Sequence, residues 1–222
     1  MIPVISIVGT SDCGKTTLIE KLLKYFNNKN LKVATIKHDV HGFDVDKEGK
    51  DTYRHKQAGA YTVIISSPWK FALISDVEKE LTLDQLTFKL STDVDLILTE
   101  GFKSANKPKI EIFRKGHSKK LLCKNDPTLL GVATDDFDNP ELKGVKNIFD
   151  LNKPEEIADF LIAHYIEKKK RKITITVDGK PVHMKDFVAD IVSATTVSMI
   201  KALKGCENAK EILIKIKDEQ NS

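Results

Sequence analysis

The 222-residue chain has few cysteines, few arginines, one tryptophan and no long hydrophobic run. Its three cysteines, Cys13, Cys123 and Cys206, are far apart and odd in number, which excludes a disulfide framework and a zinc spacing. A reduced, cytoplasmic protein is predicted. No apolar stretch approaches ~18 residues, so a membrane-spanning helix is excluded. Met1-Ile2-Pro3-Val4 has no charged leader and enters a strand-like run, so no secretory signal is predicted. Glycine (11) and proline (7) are modest, and 41% hydrophobic residues against 31% charged excludes a disordered or collagen-like chain.

Charge is also scarce in the sense that matters for nucleic acid. Residues 1–166 balance 24 basic against 24 acidic side chains, and residues 173–222 balance seven against seven. The whole excess of +4 lies in Glu167-Lys168-Lys169-Lys170-Arg171-Lys172. So short a patch gives no nucleic-acid footprint. It reads as a solvated helix end, where the macrodipole favours cations, or as a patch for an anionic partner.

What is present is an alternation of short apolar runs and amphipathic stretches. Val4–Val8 reads as a buried strand ended by Gly9. Residues 15–27 carry Leu18, Ile19, Leu22, Leu23 and Phe26 on one helical stripe, broken by Asn27, Asn28 and Asn30. Val33–Ile36 is a second strand. Residues 37–61 lack clean periodicity and read as a long functional loop, with a helix over 51–60 closed by glycine. Thr62–Ile65 and Phe71–Ile74 read as strands joined at Ser67-Pro68-Trp69. Thr82-Leu83-Asp84-Gln85 has capping-box spacing and opens a helix to Leu90. Leu96–Thr99 is another buried strand. Lys109–Phe113 alternates polar and apolar residues, and 129–133 and 145–149 read as further strands. Pro154 starts a helix bearing Ile157, Phe160, Leu161 and Tyr165. The pattern predicts an α/β fold with a mostly parallel sheet flanked by helices.

After the basic run, 173–177 reads as a strand, Asp178-Gly179 as a hairpin turn, 186–204 as a helix and 211–216 as a last strand. The predicted domains are therefore 1–166 as the main α/β domain, 167–172 as a basic linker, and 173–222 as a small α+β module.

The motif carrying most chemistry is Gly9-Thr10-Ser11-Asp12-Cys13-Gly14-Lys15-Thr16, which fits G-x-x-x-x-G-K-[ST] between a strand and a helix, and predicts that 1–166 is a nucleotide-binding domain of the P-loop NTPase class. The glycines permit a tight wrap that points backbone N–H groups at phosphate oxygens, and the helix start adds partial positive charge. Lys15 can reach β/γ-phosphates, and the Thr16 hydroxyl can ligate Mg²⁺. Cys13 reads as a small filler or, so near a helix start, a reactive thiol. Glu100 ends a buried strand where open α/β sheets place ligands, and is the candidate acid for the metal. Asp95 sits at the opposite edge and reads as a cap or pair. In the 37–56 loop, Asp44 and Asp46 are candidates to hold Mg²⁺ or orient water. His38 and His41 have no clear third ligand for zinc. Arg54, His55 and Lys56 read either as a solvated face or as contacts for anionic groups.

Three stretches together carry a family resemblance. Gly9–Thr17, His41-Gly42-Phe43-Asp44-Val45-Asp46-Lys47-Glu48-Gly49-Lys50-Asp51-Thr52-Tyr53-Arg54, and Asp95-Leu96-Ile97-Leu98-Thr99-Glu100-Gly101-Phe102-Lys103 resemble the MobB family of molybdopterin-guanine dinucleotide biosynthesis adaptor proteins. The similarity covers about residues 3–166. It implies a dimeric, GTP-binding protein with weak GTPase activity that assists the guanylyltransferase joining GMP to molybdopterin. It further implies that Glu100 is the Walker-B-type acid and that Asp44 and Asp46 lie in a switch-like loop. The chain departs from the pattern at Asp12-Cys13, where small residues are common. No N-K-x-D guanine-reading motif occurs, and Thr134-Asp135 is the candidate for base contact. The expected site is thus Gly9 to Thr17 for phosphates, Thr16, Asp44 and Glu100 for Mg²⁺, and Lys15, Asp44 and Glu100 for hydrolysis. An ATP-dependent small-molecule kinase and a non-catalytic, nucleotide-ordered interaction module stay open on the residues alone. Scattered Arg54, Arg114 and Arg171 do not support a multi-arginine kinase lid.

Overall fold

The computed structural model describes residues 2–39, 42–90, 94–166, 173–207 and 212–214. The basic run 167–172 and His41 lie outside the described residues. Along the chain come β1 (Val4–Val8), α1 (Lys15–Asn28), β2 (Val33–Lys37), α2 (Asp51–Gln57), β3 (Thr62–Ser66), β4 (Phe71–Ser75), α3 (Leu83–Lys89) and β5 (Leu96–Glu100). They are followed by β6 (Lys109–Phe113), β7 (Leu129–Thr134), β8 (Ile148–Asp150), α4 (Pro154–Leu161), β9 (Thr176–Val177), β10 (Lys180–Pro181) and α5 (Asp186–Lys201).

Six strands form one sheet in the order β2-β5-β1-β6-β7-β8, and every pairing is parallel. β1 is the hinge of the topology. The chain builds β2 and β5 on one side of it, then crosses to β6 on the other. Ligands in open α/β sheets lie at such a crossing, beyond the carboxyl ends of the strands.

Both faces of the sheet are covered. Leu18, Leu22 and Phe26 recur every four residues on α1, and with Ile19 they meet Ile5, Ile7, Leu98, Ile110 and Ile112 of the sheet and Ile157, Ala158 and Leu161 of α4. On the opposite face Val4 and Ile97 pack against Leu83 of α3. Ser6 and Thr99 also face that side, and Thr99 Oγ1 donates to Ser6 Oγ at 2.9 Å, so neither buried hydroxyl is left unpaired. Helix ends follow their local chemistry. Thr82 and Gln85 form the reciprocal capping box at the start of α3. α1 runs through Asn27-Asn28 and stops at Asn30, which takes a positive φ of 57° while Leu31 N–H donates to the Phe26 carbonyl.

The polar alternation of β6 has an unusual outcome, since all five residues are buried. Lys109, 1% exposed, donates from Nζ to Asp126 Oδ2 (2.5 Å) and to the carbonyls of Lys103 and Ala105 (2.9 and 3.0 Å). Glu111 accepts from the amides of Leu122 and Cys123 at 2.6 and 2.8 Å. Burial nonetheless pushes the Glu111 carboxyl above its usual range. These two side chains tether the loops that follow β5 and β6, and so frame the strand ends.

Two hairpins stand outside the sheet. β3 and β4 pair antiparallel and expose apolar side chains on both faces: Ile64, Phe71 and Leu73 on one, Ile65 on the other. β9 and β10 pair through Asp178-Gly179, whose φ values of 51° and 73° suit a two-residue turn with both central residues left-handed. β10 packs against α3. Two strand expectations shift. The run at 145–149 pairs only over Ile148–Asp150, and 173–177 only over Thr176–Val177. Of the strand expected over 211–216, the described residues 212–214 carry none.

Lys109 holds the Asp126 carboxyl down at about 2, below its ordinary 3.8. A depressed carboxylate contributes stability above its ordinary value and loses it as pH falls toward the folded value. Asp126→Asn should therefore cost about 3 kcal/mol at neutral pH by leaving a buried ammonium without its counter-charge. It should also flatten the loss of stability between about pH 4 and 2. Urea unfolding of both proteins across that range measures each effect.

Candidate functional site

The loop from Gly9 to Gly14 leaves the end of β1 and delivers the chain into α1. Its wrap needs left-handed backbone at Asp12 (φ 56°) and Gly14 (φ 99°), with Gly9 at φ 151°. Gly9 could not be replaced without collision, because a Cβ there would lie 2.7 Å from Cys13 Sγ and 3.0 Å from the Ile112 carbonyl oxygen. Cys13 is fully buried, and burial raises its thiol pKa above the ordinary value. Burial against Gly9 gives Cys13 the position of a filler under the loop. Asp12 is exposed.

The start of α1 is uncapped. Gly14 has no side chain to accept from the first amides, no acidic residue lies in the first turn, and the first intrahelical bond is Leu18 N–H to the Gly14 carbonyl. The amides of Lys15, Thr16 and Thr17 are thus a cluster of donors at the positive helix pole. Lys15 Nζ donates to the Thr10 carbonyl at 2.7 Å, with the Gly9 carbonyl at 3.5 Å, folding the cation back over its own loop. Beside it, Thr16 Oγ1 donates to Glu100 Oε1 and Oε2 at 3.0 and 3.1 Å. β5 lies next to β1 and ends at Glu100, so sheet register brings these partners together across 84 positions of sequence.

Other expected residues fall around this centre. Asp95, at the opposite edge, accepts from Lys32 N–H at 2.9 Å and is a structural pair, as its position predicted. Asp44 is exposed on the loop before α2. Asp46 Oδ1 accepts from Lys47 N–H and Thr52 Oγ1, whereas Oδ2 is buried and, among the described residues, has no hydrogen-bond partner. An orphan acceptor marks a place that a ligand, ion or water completes. It borders a cavity of about 340 Å³ between this loop and the β3–β4 hairpin. His38 contacts Glu80 through Nε2 at 2.6 Å and packs its ring on Phe102. No cluster of three or more metal-ligating side chains exists among the described residues. Arg54 and His55 are exposed, and Lys56 is taken up by Asp76 (2.6 Å) and the Tyr61 carbonyl. The solvated-face reading of that helix therefore describes Arg54 and His55.

Sequence reasoning missed the turn after β6. Arg114, Lys115, Gly116, His117 and Ser118 fold over the phosphate loop from the side away from Glu100. His117 Nε2 contacts the Ser11 carbonyl at 2.7 Å; a carbonyl only accepts, so the ring carries its proton on Nε2. Ser118 Oγ lies 3.4 Å from Thr10 Oγ1. Asp135, expected beside the base, accepts from Lys115 N–H at 2.7 Å and pairs with Arg114 Nε at 3.6 Å. Thr134 is buried, and its Oγ1 accepts from Asp136 N–H at 3.0 Å. Only the adjacency of β1 and β6 reveals this turn, and no local motif encodes that adjacency.

Gly9→Ala is expected to destabilise the fold by about 1–3 kcal/mol, since the new methyl must displace Cys13 or the β6 backbone. Denaturant unfolding checks the magnitude. Gly49→Ala, with nothing within 4 Å of its Cβ position, is the control for backbone strain alone.

The arrangement of strand, glycine-bounded loop, uncapped helix, lysine and hydroxyl–carboxylate pair is one that can receive an anion such as a phosphate. Comparison with known proteins identifies the family. The family described as "Molybdopterin guanine dinucleotide synthesis protein B" (MobB) matches residues 4–135. The molybdopterin-guanine dinucleotide biosynthesis adapter protein of Haemophilus influenzae is 39% identical, covering 72% of this chain and 88% of its own. A putative adapter protein of the same description from Methanocaldococcus jannaschii is 31% identical over 96% of this chain and 97% of its own. The crystal structure of a molybdopterin-guanine biosynthesis protein B superposes with a TM-score of 0.55 at 31% identity, over 72% of this chain and 97% of that one. The chain belongs to the MobB family.

Proposed function

We propose that this protein is a nucleotide-binding adapter of molybdenum-cofactor biosynthesis that assists attachment of GMP to molybdopterin. The observation that carries the nucleotide half of this reading is the uncapped start of α1 with Lys15 folded beside it. The family carries the pathway half. In this reading the ligand is GTP with Mg²⁺, the protein is cytoplasmic, and its partner is the molybdopterin guanylyltransferase with molybdopterin or its dinucleotide form. Nucleic acid is not a partner.

The chain's own groups suit these tasks. The amides at the start of α1 would receive phosphate oxygens, and Lys15 would exchange the Gly9 and Thr10 carbonyls for them. Thr16 Oγ1 and Glu100 would hold Mg²⁺. One hydroxyl and one carboxylate fit an ion that keeps waters and substrate phosphates in its shell rather than a protein cage. Bound there, Mg²⁺ would neutralise charge on the phosphates. Asp44, exposed nearby in sequence to the orphaned Asp46 oxygen, is the candidate to orient water for weak GTP hydrolysis. The base would lie beyond the end of β7, toward Thr134 and Asp135.

A homodimer is part of the proposal, and the β3–β4 hairpin supports it. Trp69 is 92% exposed, Phe71 73% and Ile64 61%, an apolar area that a second copy would cover. Residues 173–222 are proposed as a separate module that docks a partner or reinforces the dimer. The Haemophilus influenzae relative is matched by 72% of this chain, whereas the Methanocaldococcus jannaschii relative matches 96% of it, as expected of an appended unit.

Calorimetric titration should find GTP bound more tightly than ATP with Mg²⁺ present; a strong ATP preference overturns the adapter reading. Glu100→Gln should abolish the Mg²⁺-dependent part of GTP affinity or turnover, read by titration with and without EDTA and by phosphate release. Removal of residues 173–222 should weaken dimerisation or guanylyltransferase binding, read by sedimentation and pull-down with the purified enzyme. If both survive, the module has another role.

A further inference from the structure

Arg114 holds its charge beside the start of α1. Its side chain, half exposed, reaches from the end of β6 across the phosphate loop, and Nη1 lies 3.4 Å from the position a Cβ on Gly14 would take. Gly14 is the N-cap of α1, so the guanidinium stands beside the positive pole of a helix that no side chain caps. A cation next to that pole is an unfavourable juxtaposition on its own. It becomes favourable when an anion lies between them. Lys15, the other cation here, has two carbonyls to turn to. Arg114 instead pairs with Asp135 through Nε at 3.6 Å, and Asp135 also fixes the Lys115 amide at 2.7 Å. The turn carrying Arg114 is held in place again by Ser118 Oγ, which accepts from Arg114 N–H at 3.3 Å, and by His117 on the Ser11 carbonyl. The guanidinium is therefore presented, with Nη1 toward Gly14 and Nε anchored behind.

We propose that Arg114 is a phosphate-contacting residue of this site, positioned by Asp135, that grips the nucleotide from the flank opposite Glu100. The inference rests on the phosphate-binding reading of the Gly9–Thr16 loop. β1 lies between β5 and β6, so the metal-side carboxylate and the guanidinium approach from different sides of the same loop. Two consequences separate their roles. Arg114 acts on the phosphate chain and is indifferent to the base. It also acts without the metal, whereas Glu100 acts only through it.

The test titrates the full-length wild type, Arg114→Ala, Arg114→Gln and Asp135→Asn with GTP and with inorganic tripolyphosphate, each in Mg²⁺ and in EDTA. Thermal melts identify the variants that fold. The arginine substitutions should weaken both ligands by about tenfold or more, a charge-assisted bond being lost. The factor should be the same in Mg²⁺ and EDTA. Asp135→Asn should weaken both by a smaller factor. If folded Arg114→Ala or Arg114→Gln binds tripolyphosphate and GTP as the wild type does, the assignment is overturned. It is also overturned if the loss vanishes in EDTA, or if it affects GTP but not tripolyphosphate. Should the wild type bind neither ligand, the phosphate-site reading itself fails and this assignment falls with it.

Discussion

Everything at the working edge of the molecule depends on the start of α1, which no side chain caps. An uncapped helix start is normally a defect, corrected by a Ser, Thr, Asp or Asn side chain. Here the N-cap is a glycine in left-handed geometry, and the first turn holds Lys15, Thr16 and Thr17. Positive potential is concentrated there, with no acidic residue in the turn itself. The nearby groups are arranged around that fact. Lys15 retreats to carbonyls, Glu100 takes the Thr16 hydroxyl, and Arg114 is steadied by Asp135. The buried sheet behind keeps these positions in register, because β5, β1 and β6 are locked by parallel pairing and by apolar packing on both faces.

Much of this was legible in the residues. The apolar run at Val4–Val8, the stripe Leu18-Leu22-Phe26 and the capping box at Thr82 each state their structure locally, and each appears within a residue or two of the expected bounds. Glu100 was legible because a carboxylate at the end of an apolar run has one sensible place in an α/β sheet. The shortfalls have a physical pattern. β6 alternates polar and apolar residues yet is buried throughout, because the carboxylate partner of Lys109 and the amide partners of Glu111 lie in loop residues 11–17 positions away. Asp135 and the 114–118 turn meet the phosphate loop only through strand order, which no window of sequence contains. The short strands β8 and β9 were placed a few residues off, since pairing rather than propensity sets their ends.

Stability and function are divided between different charges. Lys109 and Glu111 are buried and satisfied, and they tie down the loops that follow β5 and β6. Lys15, Arg114 and the Asp46 oxygen are incompletely satisfied, at a loop or a strand end. That division follows from the cost of stranding a charge in the interior: only where a ligand arrives can such a charge be useful.

The β3–β4 hairpin has a practical corollary. Trp69 is the chain's one tryptophan, and it stands at the hairpin tip, 92% exposed. Indole emission excited selectively in this protein therefore comes from a single place, far along the chain from the phosphate loop. A blue shift would register the drying of that tip, while an unchanged spectrum would show that it still faces water. The molecule thus contains its own optical gauge of whether the hairpin is covered, with no dye attached and no residue altered.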